Sequence, residues 1–269
     1  MEQYFFLGGA SDPEMQMMNS IVREVGMSFA YATAGGKPCH PGNAYKADSV
    51  EVPEGQHFVV IECEPKNIGN FPDVVRIDHH RPQDPGFHMG PAQYWEAASI
   101  GQLYRLLGIE PTQEAKVMAA LDHCFPAAVI TQCPGVSSDE VLNLKIEEIA
   151  KGTRVTEEEV RGRTSFFHNL VAEVPEVVMG KQKVKDLRTY YMGEGYSLDL
   201  LAAQVAVALE GQTALVRLRD RAGEPEKVAL SGNATPETVR AFLEEWAPAH
   251  GLVRTYGVPA RGYAGGYVE

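Results

Sequence analysis

The chain has 269 residues, 44% hydrophobic and 22% charged, which is the make-up of an ordinary globular protein of one large domain or two modest ones. Its formal charge of -12 argues against broad electrostatic capture of long duplex DNA or of an anionic membrane surface. A local basic pocket for a small phosphate ligand stays compatible with that charge.

The opening, MEQYFFLGGASDPEM, starts with an acid and has only a short apolar run, so a signal peptide is not expected. No stretch approaches the roughly 20 apolar residues that a membrane span needs. YFFLG at 4–8 reads as a first strand, a turn follows, and Met15, Met18, Ile21, Val22 and Val25 keep a helical spacing. MSFAYA at 27–32, HFVVIEC at 57–63 and VVRI at 74–77 read as further strands. Strands alternating with helical stretches predict a parallel α/β sheet, whose ligands bind beyond the carboxyl ends of its strands. Asp12 and Glu14, Glu62 and Glu64, and Asp78 with His79 and His80 all fall at such ends, so the pattern predicts that they meet in one crevice.

Helices are expected over 93–108, stopped by a glycine, and over 112–122. Ser137 with Glu140, and Thr156 with Glu159, have the spacing of capping boxes that open two more helices. Residues 171–187 mix Pro, Gly and Lys and read as a linker, so a first domain over 1–180 and a smaller α+β domain over 188–269 are expected. The second would hold a helix near 197–209, strands at 213–219 and 226–231, a helix capped by Thr235 with Pro236 in its first position, and a glycine-rich end, RGYAGGYVE. KQKVKDLR at 181–188 is the one local basic cluster. It reads as an exposed linker, or as a patch that steers a phosphate. The cysteines, Cys39, Cys63, Cys124 and Cys133, are scattered and fit neither a disulfide framework nor a CxxC zinc pair, which makes a reducing cytoplasm the expected location.

The segment VVRIDHHRPQDPG at 74–86 sets an acid and two imidazoles side by side after a strand. Together with the acids at the other strand ends it makes a mixed oxygen and nitrogen donor set. Such a set suits Mn²⁺, and Mg²⁺ less well, and lacks the thiolates of structural zinc sites. Two such cations can clamp a phosphoryl group and make hydroxide from water near neutral pH.

These motifs, in this order, resemble the DHH phosphoesterase superfamily, which includes RecJ-type exonucleases, oligoribonucleases, cyclic-di-AMP phosphodiesterases and family II inorganic pyrophosphatases. IDHH at 77–80 carries the name-giving triplet. Gly8, Asp12 and Glu14 stand at the spacing of the family's first-strand HxxxDxD motif, Glu62 stands for its strand-ending Asp, and Asp122 in ALDHC stands for its helical Asp. Arg261, Gly265, Gly266 and Tyr267 stand where family members carry a GGGH-like substrate motif.

The resemblance implies a Mn²⁺ or Mg²⁺ centre of one or two ions, built from Asp12, Glu14, Glu62, Asp78, His79 and Asp122. Glu14, Glu62, His79 and Asp122 would form one metal site, with Asp12 and Glu62 left for the second. His80 would contact the substrate phosphate, and Arg261, Gly265 and Gly266 would line the substrate side. Asp78, His79 and His80 would form the catalytic segment. The substrate would be small: a short oligonucleotide, a nucleotide or a cyclic dinucleotide.

Three departures bear on activity. Gly8 replaces an imidazole, two acids are a methylene longer than the family's Asp, and Tyr267 replaces the last His. Either one cation suffices, or His40 or His123 supplies the missing ligand, or the protein binds a nucleotide or phosphate without hydrolysing it. A purely structural DHH turn in a regulatory module is the remaining reading. Zinc at His123, Cys124 and Cys133 is disfavoured by the wide gap between the cysteines. A homo-oligomer is compatible with the sequence.

Overall fold

The computed structural model describes residues 3–269. They form two compact units: the chain up to Met89 with Gln93–His123, and Gly90–Ala92 with Cys124–Glu269.

The first unit begins with strand β1 (Tyr4–Gly8), helix α1 (Pro13–Glu24) and strand β2 (Ser28–Tyr31). A two-stranded hairpin, β3 (Thr33–Ala34) and β4 (Lys37–Pro38), precedes β5 (His57–Ile61) and β6 (Val75–Ile77). The main sheet has the order β2-β1-β5-β6, and every neighbouring pair in it is parallel. Phe58, Val59, Val60 and Ile61 in β5 are all buried, as a strand covered on both faces requires. Asp12 caps α1 by accepting the Met15 N–H at 2.8 Å, Pro13 opens the helix, and Met15, Met18 and Val22 form its buried face. Cys63 is a buried thiol whose Sγ–H donates to the Leu7 carbonyl at 3.3 Å.

Helices α2 (Tyr94–Ala97) and α3 (Ser99–Leu107) follow, and α3 ends on Gly108 in the left-handed conformation, φ 64°. In α4 (Gln113–Val129) the backbone breaks at Cys124, φ -156° and ψ 45°, two residues past Asp122. The helix expected to finish near 122 therefore does lose its regular path there.

In the second unit the end of α4 is followed by α5 (Ser138–Thr153) and α6 (Glu157–Glu173), both begun by complete capping boxes, Ser137 with Glu140 and Thr156 with Glu159. Next come β7 (Glu176–Met179), β8 (Gln182–Glu194), α7 (Leu198–Leu209), β9 (Thr213–Arg219), β10 (Glu226–Gly232), α8 (Pro236–Ala241), β11 (Leu252–Val258) and β12 (Tyr263–Val268). The six-stranded sheet has the order β11-β12-β10-β9-β8-β7, antiparallel except for the parallel pair β8 and β9.

Two expectations need correction. Residues 176–194 are not a linker but an antiparallel strand pair, with Met179, Val184 and Leu187 buried. The division between units falls at 123–124 rather than at 180–188. Helices α5 and α6 belong with the second unit because α6 packs along α7 and places Phe167 and Val171 in its core. The second unit is accordingly not the smaller one. Among the described residues no helix is long and apolar enough to cross a membrane.

Candidate metal centre

Parallel pairing of β1, β5 and β6 aligns their carboxyl ends, so the residues after each strand reach one place. One ligand atom from each of Glu14, Glu62, His79 and Asp122 lies within 4.8 Å of all the others. His79 Nε2 is 3.1 Å from Asp122 Oδ2 and 3.6 Å from Glu62 Oε1. His79 is wholly buried, Glu14 and Glu62 nearly so, and the Asp122 side chain is 31% exposed, which leaves that carboxylate as the group nearest solvent. Three carboxylates and one imidazole converging on a point are a donor set for a hard divalent cation.

The electrostatics fit the same role. Burial, then the charges of Asp122 and Glu62, drive the Glu14 carboxyl well above its ordinary range. Burial likewise lifts Glu62 to about 8, against the opposing charge of His80 and with the help of Asp122 and Asp12. Asp12 is raised to about 6, again chiefly by burial. Acids that repel one another in a desolvated cluster are relieved by a bound cation. His80 is partly exposed. Burial disfavours its charge, but its hydrogen bond to Asp78 and the charges of Glu62 and Asp122 outweigh that and raise it to about 9.

Two of the clustered carboxylates are held by groups the sequence did not single out. Ser99 donates its hydroxyl hydrogen to Glu62 Oε1 at 2.7 Å, and the Ile100 N–H donates to Glu14 Oε1 at 3.0 Å. Both donors stand in the first turn of α3, whose amino end favours negative charge. Glu62 itself has a left-handed backbone, φ 50°, uncommon for a residue with a Cβ and costing about 1 kcal/mol or more.

Asp78 lies outside the cluster, which corrects its expected place among the metal ligands. Its Oδ1 accepts the backbone N–H groups of His79 at 2.7 Å and His80 at 3.0 Å, and the His80 ring Nδ1–H at 3.0 Å. Tyr45 donates its hydroxyl to the same carboxylate at 3.1 and 3.0 Å. Gln102 brackets the Asp78 backbone, accepting its N–H at 3.3 Å and donating to its carbonyl at 2.9 Å. Asp78 therefore shapes the turn that presents the two imidazoles. Gly86 closes that turn against Ala97 and His79, where a Cβ would sit 2.7 Å from the His79 Cβ.

Asp12 serves α1 as its cap and stands close enough to Asp122 to feel its charge, but it is not among the four converging residues. Glu64 turns away to Arg81 at 2.7 Å and Arg76 at 3.4 Å. His40 is exposed, its Nδ1 accepting the Gly42 N–H at 3.1 Å, and it joins none of the clusters able to hold a metal among the described residues. The first-strand position has closed: a Cβ on Gly8 would collide with the Phe29 ring and sit 2.6 Å from the Met15 sulfur. Apolar packing fills the place where the resemblance calls for an imidazole.

In the second unit, Gly265 and Gly266 lie in β12 between β10 and β11. A Cβ at Gly265 would fall 2.5 Å from the Tyr256 hydroxyl, so the Tyr256 side chain would have to move, and one at Gly266 would fall 3.0 Å from Thr255. Arg261 lines a cavity of about 270 Å³ within that unit, together with Pro91, Cys124, Thr235 and Gly262. In the basic run, Lys183 and Lys185 each reach Glu176 at 3.0 Å, a cross-strand pairing rather than a phosphate patch. The Cys124 and Cys133 sulfurs lie 3.0 Å apart in the interior.

Fold and site together define an α/β protein with a carboxylate and imidazole centre at the carboxyl edge of a parallel sheet. No family model and no curated protein matches the chain. Among solved structures it is similar to the pGpG-specific phosphodiesterase PggH of Vibrio cholerae, at 12% identity and a TM-score of 0.46, over 99% of this chain and 93% of that one. It is also similar to a protein of Methanococcus jannaschii described as a family II inorganic pyrophosphatase, at 12% identity and a TM-score of 0.23, over 84% of this chain and 78% of that one.

Proposed function

We propose that this chain is a divalent-cation-dependent phosphoesterase acting on a small phosphodiester or phosphoanhydride: a short oligonucleotide, a nucleotide or a cyclic dinucleotide. The observation that carries this reading is the convergence of Glu14, Glu62, His79 and Asp122, whose ligand atoms lie within 4.8 Å of one another, two of them just beyond the ends of β5 and β6 and two on helices α1 and α4. Three oxygens and one nitrogen favour Mn²⁺, with Mg²⁺ second. When bound, the cation supplies positive charge to a phosphoryl oxygen and lowers the pKa of water.

The protein's own part is orientation and charge. Ser99 and the Ile100 N–H fix two carboxylates, and Asp78 fixes His80 at the solvent side of the centre, 43% exposed. His80 carries a proton at neutral pH, its pKa being about 9. It can therefore donate a charge-assisted hydrogen bond to a phosphate oxygen. The resemblance assigns Arg261, Gly265 and Gly266 to the substrate as well, and Arg261→Ala tests this as a rise in KM. A small substrate rather than long duplex DNA accords with the acidic chain, and a cytoplasmic location accords with the burial of its four scattered cysteines.

The closed Gly8 position favours a second reading, a protein that binds a nucleotide or phosphate without hydrolysing it. Calorimetric titration of the metal-stripped protein with Mn²⁺, with His79→Ala beside it, separates the readings. Binding that the variant loses is expected, with hydrolysis of short RNAs or nucleotides following on reloading. Binding without turnover across the panel selects the second reading. No binding in either protein overturns the metal centre.

A further inference from the structure

His79 does not stand alone in its pocket. Its Nδ1 lies 2.9 Å from Nδ1 of His123, the two rings are stacked with their centroids 5.1 Å apart, and His123 Nε2 lies 3.0 Å from the Met89 carbonyl oxygen. Both imidazoles are buried, His79 wholly and His123 to within 3%. A carbonyl oxygen only accepts, so the His123 proton is on Nε2. In the neutral ring, Nδ1 of His123 is then a lone pair, and the short contact requires His79 to donate its Nδ1–H. That places the His79 lone pair on Nε2, the atom that faces Asp122 at 3.1 Å and Glu62 at 3.6 Å.

We propose that His123 is a positioning residue: through the chain Met89 carbonyl, His123, His79 it sets the tautomer of His79 that can ligate a cation. This rests on the metal reading of the centre and adds a device to it. A ligating imidazole is ordinarily oriented by a hydrogen bond at its other nitrogen, commonly to a carboxylate or a carbonyl. Here the partner is a second imidazole, itself fixed by a backbone carbonyl. The opposite tautomer of His79 would set two lone pairs against each other at 2.9 Å, or would need a buried imidazolium at His123. The same contacts explain why His123 is not the replacement ligand the sequence allowed: its ring nitrogens face Met89 and His79.

The test uses two variants and two readouts. His123→Phe keeps a flat ring but offers no acceptor to His79, and Mn²⁺ affinity, read by calorimetry, is expected to fall about 10- to 100-fold. His123→Asn offers a carbonyl oxygen close to the lost Nδ1 and is expected to restore most of that affinity. Independently, long-range ¹H–¹⁵N NMR of the metal-free wild-type protein is expected to show His79 protonated at Nδ1. Wild-type affinity in His123→Phe, or a wild-type His79 protonated at Nε2, overturns the proposal. If His123→Phe does not fold, the wild-type spectrum still decides. Loss of the metal reading itself has a different signature: His79→Ala then binds Mn²⁺ as the wild type does, whatever tautomer the spectrum shows.

Discussion

Ser99 holds Glu62 by a 2.7 Å hydrogen bond at a strand end where the acid sits on a left-handed backbone. The backbone aims the carboxylate and the hydroxyl keeps it there. Ser99→Ala removes this hydroxyl, while the amino end of α3 remains. Mn²⁺ affinity is expected to fall about tenfold, measured by titration of the chelator-treated protein. The change in melting temperature is expected to match the loss of one buried hydrogen bond, about 1–3 kcal/mol.

The buried acids give a pH dependence of definite sign. Glu62 has an ordinary value of 4.5 and a folded value of about 8. The folded, metal-free chain therefore holds a proton more tightly than the unfolded chain. The stability this contributes is complete below 4.5 and is lost as the pH rises toward 8. Thermal melts in chelator should thus show falling stability across that window. A cation must displace the same proton, so Mn²⁺ affinity should rise through the window and level off above pH 8. Calorimetry in buffers of different ionisation enthalpy counts the protons released.

Gly8→His is expected not to rebuild a second metal site. Phe29 and Met15 occupy the space, and an imidazole there overpacks the core beside β1 and β2. The variant should lose about 1–3 kcal/mol of stability, and its Mn²⁺ stoichiometry should equal that of the wild type. A stoichiometry raised by one ion would show that the position still opens toward the centre.

The central strands and their terminal acids were legible because β1, β5 and β6 are short apolar runs closed by polar residues. The parallel pairing of β1 with β2 then follows from the helix between them. Glu14, Glu62, His79 and Asp122 were legible through motif order, which no single spacing reveals. Ser99, Gln102 and Tyr45 were not. Each meets its partner across 24 to 37 residues of chain, and nothing local marks a serine that opens a helix as the partner of a distant acid. Asp78 was misplaced because an acid beside two imidazoles reads as a ligand until its carboxylate is seen accepting the backbone of its own turn. Strands β7 and β8 were hidden by composition: their buried Val184 and Leu187 are separated by lysine and aspartate, and their turn carries the glycine that suggested a linker.

The turn after the two imidazoles is tied at its neck, where the Gly86 N–H donates to the Asp78 carbonyl at 3.1 Å, and braced inside by Asp84, which accepts the Arg81 N–H at 2.6 Å. Its tip, Pro82 and Gln83, is exposed. Exposed tips on anchored loops accept foreign residues well. A fluorophore attached through Gln83→Cys would sit three residues from His80 without entering the cluster. Labelled there, the protein is expected to act as an optical sensor whose signal changes when a ligand binds beside His80, including ligands that are never turned over.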